Sequence, residues 1–133
     1  MSEMRWNPIK KEWVITATHR QDRTFKPPED YCPLCPTKEG GFPTEVNKDN
    51  YDLVVFENKF PSLQKNPPEP TVEGSDLYRV KKAQGICEVV LFTDEHDGIM
   101  SEKPRSRFLK LVKTWKDRYQ NLGSKDFIDY VYI

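Results

Sequence analysis

Short apolar runs alternate along the chain with long polar segments, and three of the runs are typical of strands. They are rich in β-branched and aromatic residues and have the length of strands: Trp13 to Thr16 (WVIT), Tyr51 to Phe56 (YDLVVF) and Ile86 to Thr93 (ICEVVLFT). We expect them to be core strands of one sheet. The segments between them contain many prolines and charges, so neither segment can run through the middle of that sheet.

A helical pattern replaces the strand pattern from Ser101 to Leu122. Apolar residues recur there at helical spacing, with lysine, arginine and aspartate between them: Phe108, Leu111, Val112, Trp115, Tyr119 and Leu122. This spacing predicts one long amphipathic helix, with Pro104 in its first turn and Gly123 at its C-terminal cap. We expect the Trp and Tyr side chains of this helix to belong to the core.

The last eight residues, Asp126 to Ile133, are rich in aromatic and β-branched types and predict a fourth strand. A domain seldom ends on an uncapped apolar strand, so we expect the chain to be cut short inside a larger fold. The alternative is a terminal strand that docks into the sheet.

The composition favours one soluble domain of mixed α and β structure. A chain of 133 residues can bury roughly two-thirds of the surface that it exposes when unfolded. The 21 basic residues balance the 21 acidic ones, so no overall field draws the chain to nucleic acid or a membrane, and we expect neither partner. The N-terminus lacks the apolar core of a signal peptide, and the longest purely apolar run, 89–92, is too short to cross a bilayer. We therefore expect a cytoplasmic protein.

Two of the three cysteines, Cys32 and Cys35, lie in a loop stiffened by Pro33 and Pro36. An odd number of cysteines and a reducing compartment argue against structural disulfides. A Cys-x-x-Cys turn can supply two of the four ligands of a tetrahedral Zn²⁺ ion. A redox pair and two ordinary buried thiols stay open as alternatives, although a redox pair is typically found at a helix N-terminus.

Further metal ligands would have to come from Cys87 or from the two histidines, His19 and His96. Cys87 lies near the start of an apolar strand, where a free cysteine is usually a small core side chain. His96 follows the third predicted strand in an acidic turn, FTDEHDG, whose carboxylates could orient an imidazole. A lone histidine there would be a solvated surface residue, but beside two thiolates His96 is the better third ligand.

Two further groups of residues have the chemistry to bind phosphate groups and a base or a sugar. Arg20 and Arg23 follow the first predicted strand, and guanidinium groups bind phosphate oxygens bidentately. Asn58 follows the second predicted strand with an amide donor and acceptor, and Phe60 adds an apolar surface for a base or a sugar. A solvated arginine pair and an ordinary turn are the plain alternatives.

Four motifs occur in an order that resembles the N-terminal half of galactose-1-phosphate uridylyltransferases, in the histidine-triad superfamily: RWNPIKKEWVITATHRQDR, CPLC, YDLVVFENKFPSL and GICEVVLFTDEH. The resemblance covers nearly the whole chain. It implies that residues 1–133 form part of an N-terminal uridylyltransferase domain. It also implies an α+β fold with an antiparallel-rich sheet and one long amphipathic helix, as a histidine-triad-like half domain that is incomplete at its C-terminus.

The resemblance also implies a function in galactose metabolism. UDP-glucose would transfer UMP to an active-site histidine, and galactose 1-phosphate would then accept it, which splits one displacement into two easier steps. The residues matching Cys32, Cys35 and His96 would bind structural zinc. Those matching Arg20 and Arg23 would approach the phosphates, and those matching Asn58, Lys59, Phe60 and Val89 would line the uridine site. The full-length enzyme is expected to be a homodimer.

The sequence departs from the family pattern in one respect that bears on activity. The His-Pro-His-Gly-Gln motif, which supplies the family's nucleophile and fourth metal ligand, is absent from the 133 residues. We therefore expect this chain to be inactive alone. At the position of Lys59 some members of the family carry an acidic residue, and this change of sign would alter the electrostatics near the nucleotide. Alternatives are a free-standing zinc-knuckle module that binds nucleotide sugars, and a relative acting on ADP-sugars or dinucleoside polyphosphates.

Overall fold

The structure is a computed structural model, and it describes residues 2–18 and 31–133. In that part of the chain the regular elements are β1 (Ser2–Asn7), β2 (Glu12–Ala17), β3 (Val54–Glu57), β4 (Val80–Lys82), β5 (Glu88–Leu91) and α1 (Arg105–Gly123), with a short 3-10 turn at Met100–Glu102 before the helix. The predicted α+β class, with antiparallel pairing and one long helix, is confirmed. The chain divides into two compact units, of which the first contains β1, β2 and residues 57–88 and the second contains residues 31–56 and 89–133.

The first unit is built on an antiparallel sheet with the strand order β2-β1-β4. A tight hairpin joins β1 to β2 because Asn7 satisfies the backbone of the turn. Its side-chain Oδ1 accepts the N–H groups of Ile9 and Lys10, both at 3.1 Å, and its carbonyl accepts that of Lys11 at 2.8 Å. Lys11 completes the turn in the left-handed region, with φ of 55°.

The expectation that the three predicted strands share one sheet is wrong. β2, which contains the run 13–16, belongs to the three-stranded sheet, whereas β3 and β5 pair with each other in a separate two-stranded sheet. Two strands escaped prediction because their sequences are polar: β1 is SEMRWN, and β4 is the three-residue segment VKK. Backbone pairing with β2 and β4 places β1 at the centre of its sheet.

Aromatic and cationic side chains share one face of the three-stranded sheet. Trp6 and Trp13 are directly opposite in the register, and their rings meet edge to face with centroids 5.6 Å apart. The Arg79 guanidinium lies 4.6 Å from the centroid of Trp6, and the Lys81 ammonium lies 4.4 Å from that of Trp13. Cross-strand aromatic and cation–π contacts therefore stabilise a face that lacks a continuous apolar surface.

Glu3 is a buried carboxylate at the centre of this sheet, with its side chain 5% exposed. The Arg5 Nε donates to it at 2.8 Å, and Thr71 donates its backbone N–H at 2.7 Å and its hydroxyl at 3.1 Å. These hydrogen bonds, that of Arg5 above all, hold the pKa of Glu3 below its ordinary value. The carboxylate thus ties the loop before β4 to the sheet.

The helix α1 in the second unit begins after Pro104, whose φ of −66° suits a helix start, and its last residue is Gly123. The cap itself is Ser124, one residue beyond the predicted position. Leu111 is its one fully buried residue, and Trp115 is half-buried. The expectation that Tyr119 belongs to the core is wrong, because its side chain is 50% exposed. In the described residues, no helix has the length and apolar character needed to span a membrane.

One acidic residue anchors the first half of α1. Lys110 donates to the Asp52 carboxylate at 2.5 Å, and Arg107 forms an ion pair with the same group. These cations, Lys110 foremost, lower the pKa of Asp52. The helix is therefore held in place by its ion pairs with Asp52 as well as by the buried side chain of Leu111.

The predicted fourth strand is not formed. Residues 126–133 follow α1 in a turn, in which the Ile128 N–H donates to the Lys125 carbonyl at 2.9 Å, and then continue without regular structure. Tyr130 and Tyr132 are 76% and 88% exposed. Aromatic and β-branched residues form a strand only against a pairing edge, and this segment pairs with none of the described strands.

We expect Glu3→Gln to lower the free energy of unfolding by about 1–3 kcal/mol, because a neutral amide replaces a buried carboxylate that accepts charged and neutral hydrogen bonds. Since the pKa of Glu3 is lowered in the folded state, its stabilising contribution is present above the ordinary pKa of 4.5 and is lost as the pH falls through the folded value. Urea unfolding of both proteins at about pH 7 and about pH 3 should therefore give a smaller difference in acid.

The control is Glu12→Gln in β2. The Glu12 side chain is 54% exposed and lies 3.6 Å from Lys10, so its replacement should change the unfolding free energy by less than about 0.5 kcal/mol. An effect of Glu3→Gln that is equal at both pH values would contradict the conclusion that ionised Glu3 stabilises the fold.

Candidate metal centre

Cys32 and Cys35 lie in a loop without regular structure, residues 31–37, which we call the knuckle loop. The Cys35 N–H donates to the Cys32 carbonyl at 3.3 Å, which closes the turn between the two thiols. Residues 44–46 form a second segment that contacts this turn. The Glu45 N–H donates to the Pro33 carbonyl at 2.9 Å, and Pro36 pairs with Val46 in a parallel bridge. Both thiols are half-buried.

Two threonines hold the knuckle loop against this segment. The Thr44 hydroxyl donates to the Cys35 carbonyl at 2.6 Å and accepts the Val46 N–H at 3.2 Å. The Thr37 hydroxyl accepts the Thr44 N–H at 3.0 Å and donates to the Val46 carbonyl at 2.8 Å. Val46 is itself buried, at 4% exposure. The backbone of Cys35 is therefore fixed by a closed set of hydrogen bonds over an apolar residue.

His96 lies in a tight turn after β5, residues 93–98, which we call the His96 loop. The Thr93 hydroxyl accepts the Glu95 N–H at 3.3 Å, and the Gly98 N–H donates to the Glu95 carbonyl at 3.2 Å. Lys103, 12% exposed, forms an ion pair with the Glu95 carboxylate. A Cβ at Gly98 would lie 2.8 Å from Thr93 Cγ2, so any larger residue there would require Thr93 to move.

The two loops bring three metal-binding side chains together. The Cys35 Sγ lies 3.2 Å from the His96 Nδ1, and the donor atoms of Cys32, Cys35 and His96 all lie within 4.8 Å of one another. Ligands of a tetrahedral ion bound through sulfur and nitrogen are about 3.3–3.8 Å apart. The spacing and the chemistry of these donors therefore fit a divalent metal ion, for which the described part of the chain offers three ligands.

The electrostatics of the site favour a cation. Burial and the neighbouring Cys32 raise the pKa of the Cys35 thiol, because two adjacent thiolates repel each other and the charge of Lys38 offsets this only in part. Burial and the charges of Cys35 and Asp94 raise the pKa of Tyr51, so the phenol keeps its proton as a hydrogen-bond donor. A divalent ion would reverse this repulsion and bind the thiols as thiolates.

Asn58, Lys59 and Phe60 follow β3 directly, in the first unit. The Asn58 N–H donates to the Cys87 carbonyl at 2.8 Å, and its side-chain Oδ1 accepts the Phe60 N–H at 2.9 Å. Phe60 is 42% exposed. The loop is thus ordered by its own asparagine, whose amide nitrogen is not used in these bonds.

Val89 and Cys87 do not join the metal group. Val89 is half-buried within β5, and Cys87 is half-buried just before it. Among the described residues the metal group contains no thiol other than Cys32 and Cys35. His19, Arg20 and Arg23 lie outside the described residues.

Sequence reasoning did not single out the residues that support the site, namely Thr37, Thr44, Tyr51, Gly98 and Lys103. Threonines in a proline-rich loop and a tyrosine before a strand have no pattern that indicates a long-range hydrogen bond. The glycine two positions after His96 was a usable indication of a tight turn.

Comparison with known proteins gives consistent matches. A galactose-1-phosphate uridylyltransferase of Thermotoga maritima is 38% identical over 133 residues, which are the whole of this chain and 40% of that protein. The Streptomyces lividans enzyme of the same name is 33% identical over 131 residues, covering 98% of this chain and 31% of that protein. This chain therefore spans well under half the length of these curated relatives.

Two solved structures share the fold. They are described as a uridylyltransferase mutant and a uridylyltransferase, and they match with TM-scores of 0.70 and 0.63, both at 29% identity. The matches cover 93% and 90% of this chain but 35% and 36% of the solved chains. The family model described as galactose-1-phosphate uridyl transferase, N-terminal domain, matches residues 1–133. The chain belongs to the galactose-1-phosphate uridylyltransferase family.

Proposed function

We propose that this chain is part of a nucleotidyltransferase that moves UMP from UDP-glucose to galactose 1-phosphate, and that Cys32, Cys35 and His96 hold a structural zinc ion. The observation that carries the proposal is the approach of these three donors from two separate loops in a chain of this family. Residues 1–133 would then be part of its N-terminal domain.

Zinc is the metal that this donor set suits best. Two thiolates and one imidazole are ligands of borderline softness, which Zn²⁺ prefers and which Mg²⁺ and Ca²⁺ do not. Bound zinc would cross-link the knuckle loop and the His96 loop and so contribute folding free energy. The free, reduced cysteines suit the reducing cytoplasm, where we place the protein.

For the nucleotide sugar we propose two groups of residues. Arg20 and Arg23 would bind the phosphates, since guanidinium groups match phosphate oxygens bidentately. Asn58, Lys59, Phe60 and Val89 would line the uridine site. The ordered Asn58 turn and the partly exposed ring of Phe60 support this assignment, because they combine an amide donor with an apolar surface for a base.

For the reaction we propose covalent catalysis by a histidine outside these residues. The 133 residues contain no His-Pro-His-Gly-Gln sequence. Neither of their two histidines is assigned the attack, since His96 would hold the metal and His19, beside Arg20, would be a neighbour of the phosphate site. The role of the described residues would be to hold the fold and the substrate, so that the displacement is split into two steps elsewhere in the protein. We propose a homodimer for the full-length enzyme.

The metal assignment is tested by zinc content. We expect the purified chain, after dialysis against metal-free buffer, to retain about one zinc per chain, and Cys32→Ser to lose most of it, because the hydroxyl of serine is a poor zinc ligand. Cys87→Ser is the matched control, since it removes a half-buried thiol outside the metal group. Equal zinc in Cys32→Ser and Cys87→Ser, measured by plasma mass spectrometry, would contradict the proposed site.

The catalytic assignment is tested by intact mass. We expect the 133-residue chain to form no covalent uridylyl adduct when it is incubated with UDP-glucose, because its sequence lacks the nucleophilic motif. A relative that includes this motif, treated in parallel, should gain the mass of one UMP. A UMP adduct on the 133-residue chain would show that one of its own residues is the nucleophile and would overturn the assignment.

A further inference from the structure

Tyr51 lies between the two loops of the candidate metal centre, three residues before β3 begins at Val54. Its hydroxyl donates to the Thr93 carbonyl at 2.7 Å. The same oxygen lies 3.5 Å from the Leu34 carbonyl. Leu34 separates the two cysteines of the knuckle loop, and Thr93 opens the His96 loop. One side chain of the second unit therefore touches the backbone of both loops that supply metal ligands.

The hydroxyl has a single proton, and the shorter contact takes it. The bond to Thr93 at 2.7 Å has the length of a strong O–H···O hydrogen bond, whereas 3.5 Å is beyond the usual range. Tyr51 therefore fixes the start of the His96 loop through this bond and rests against the knuckle loop. Its ring has only two rotatable bonds, so the link between the loops is stiff.

We propose that Tyr51 is a positioning residue for the metal centre, which it serves by holding the His96 loop at the distance from the knuckle loop that the ion requires. This inference rests on the proposed metal binding. The two loops are distant in sequence, since Cys35 and His96 are 61 residues apart. A link that holds them together before the ion arrives lowers the conformational entropy lost on binding.

The test is metal binding by Tyr51→Phe, which keeps the ring and removes only the hydroxyl. We expect its affinity for Co²⁺, used as a spectroscopic substitute for zinc, to fall about tenfold, as is typical when a residue that orients the ligands is lost. The absorption bands of bound Co²⁺ should also change in position or intensity, because they report the arrangement of the ligands. Affinity and spectrum equal to those of the wild-type chain would overturn the inference.

Tyr119→Phe is the matched control, because it removes a phenol hydroxyl from a half-exposed position on α1, outside both loops. It should leave the Co²⁺ affinity and spectrum unchanged. Far-UV circular dichroism of each metal-free variant checks the fold. If metal-free Tyr51→Phe lost the helical signal of α1, its effect on metal would be a general loss of structure, and the positioning role would be rejected.

The wild-type chain and Cys32→Ser separate this inference from the proposal on which it rests. Failure of the wild-type chain to bind Co²⁺ would overturn the metal proposal and the role of Tyr51 together. Tight binding by the wild-type chain, loss in Cys32→Ser and no change in Tyr51→Phe would support the metal site and overturn only the role of Tyr51.

Discussion

The second unit is organised around one geometric feature, which is that two loops present three atoms able to bind a metal within 4.8 Å of one another. Neither loop belongs to a helix or a strand, so no regular hydrogen-bond ladder fixes their separation. The hydroxyls of Thr37 and Thr44 fix one loop, and the Lys103–Glu95 ion pair fixes the other. Each set of contacts fixes the conformation of its own loop, and the Cys35 and His96 donor atoms lie close together because both loops are fixed.

The first unit is also stabilised mainly by polar contacts, because its apolar core is small. Its sheet has little apolar surface to bury, and Ala83 is its one fully buried apolar residue among those described. Paired tryptophans, cations over their rings and the buried Glu3 carboxylate supply the specific contacts instead. In both units, polar contacts between segments distant in sequence therefore provide part of the stabilisation that a larger apolar core provides in other domains.

The sequence allowed some of these features to be predicted and concealed others for physical reasons. The strands around 13–16, 51–56 and 86–93 and the helix were predictable, because hydrophobic periodicity is local. The partners of those strands were not, since β1 and β4 are polar and pairing is a long-range property. The 126–133 segment has the residues of a strand but pairs with none of the described strands, and pairing is again a long-range property. The thiols and His96 were found through spacing and resemblance, but the carbonyl that accepts from Tyr51 lies 42 residues away.

The turn at Gly98 links two positions of the sequence in evolution. A methyl group at residue 98 would lie 2.8 Å from the Cγ2 of Thr93 and 3.2 Å from the Glu95 carbonyl, so an alanine there requires the Thr93 side chain to move or shorten and the carbonyl to shift slightly. Serine at residue 93 would relieve the contact with Cγ2, since it lacks the methyl group and keeps the hydroxyl that accepts the Glu95 N–H. Residue 93 is therefore free to become serine while residue 98 is still glycine, whereas an alanine at residue 98 is easier to accommodate after that change.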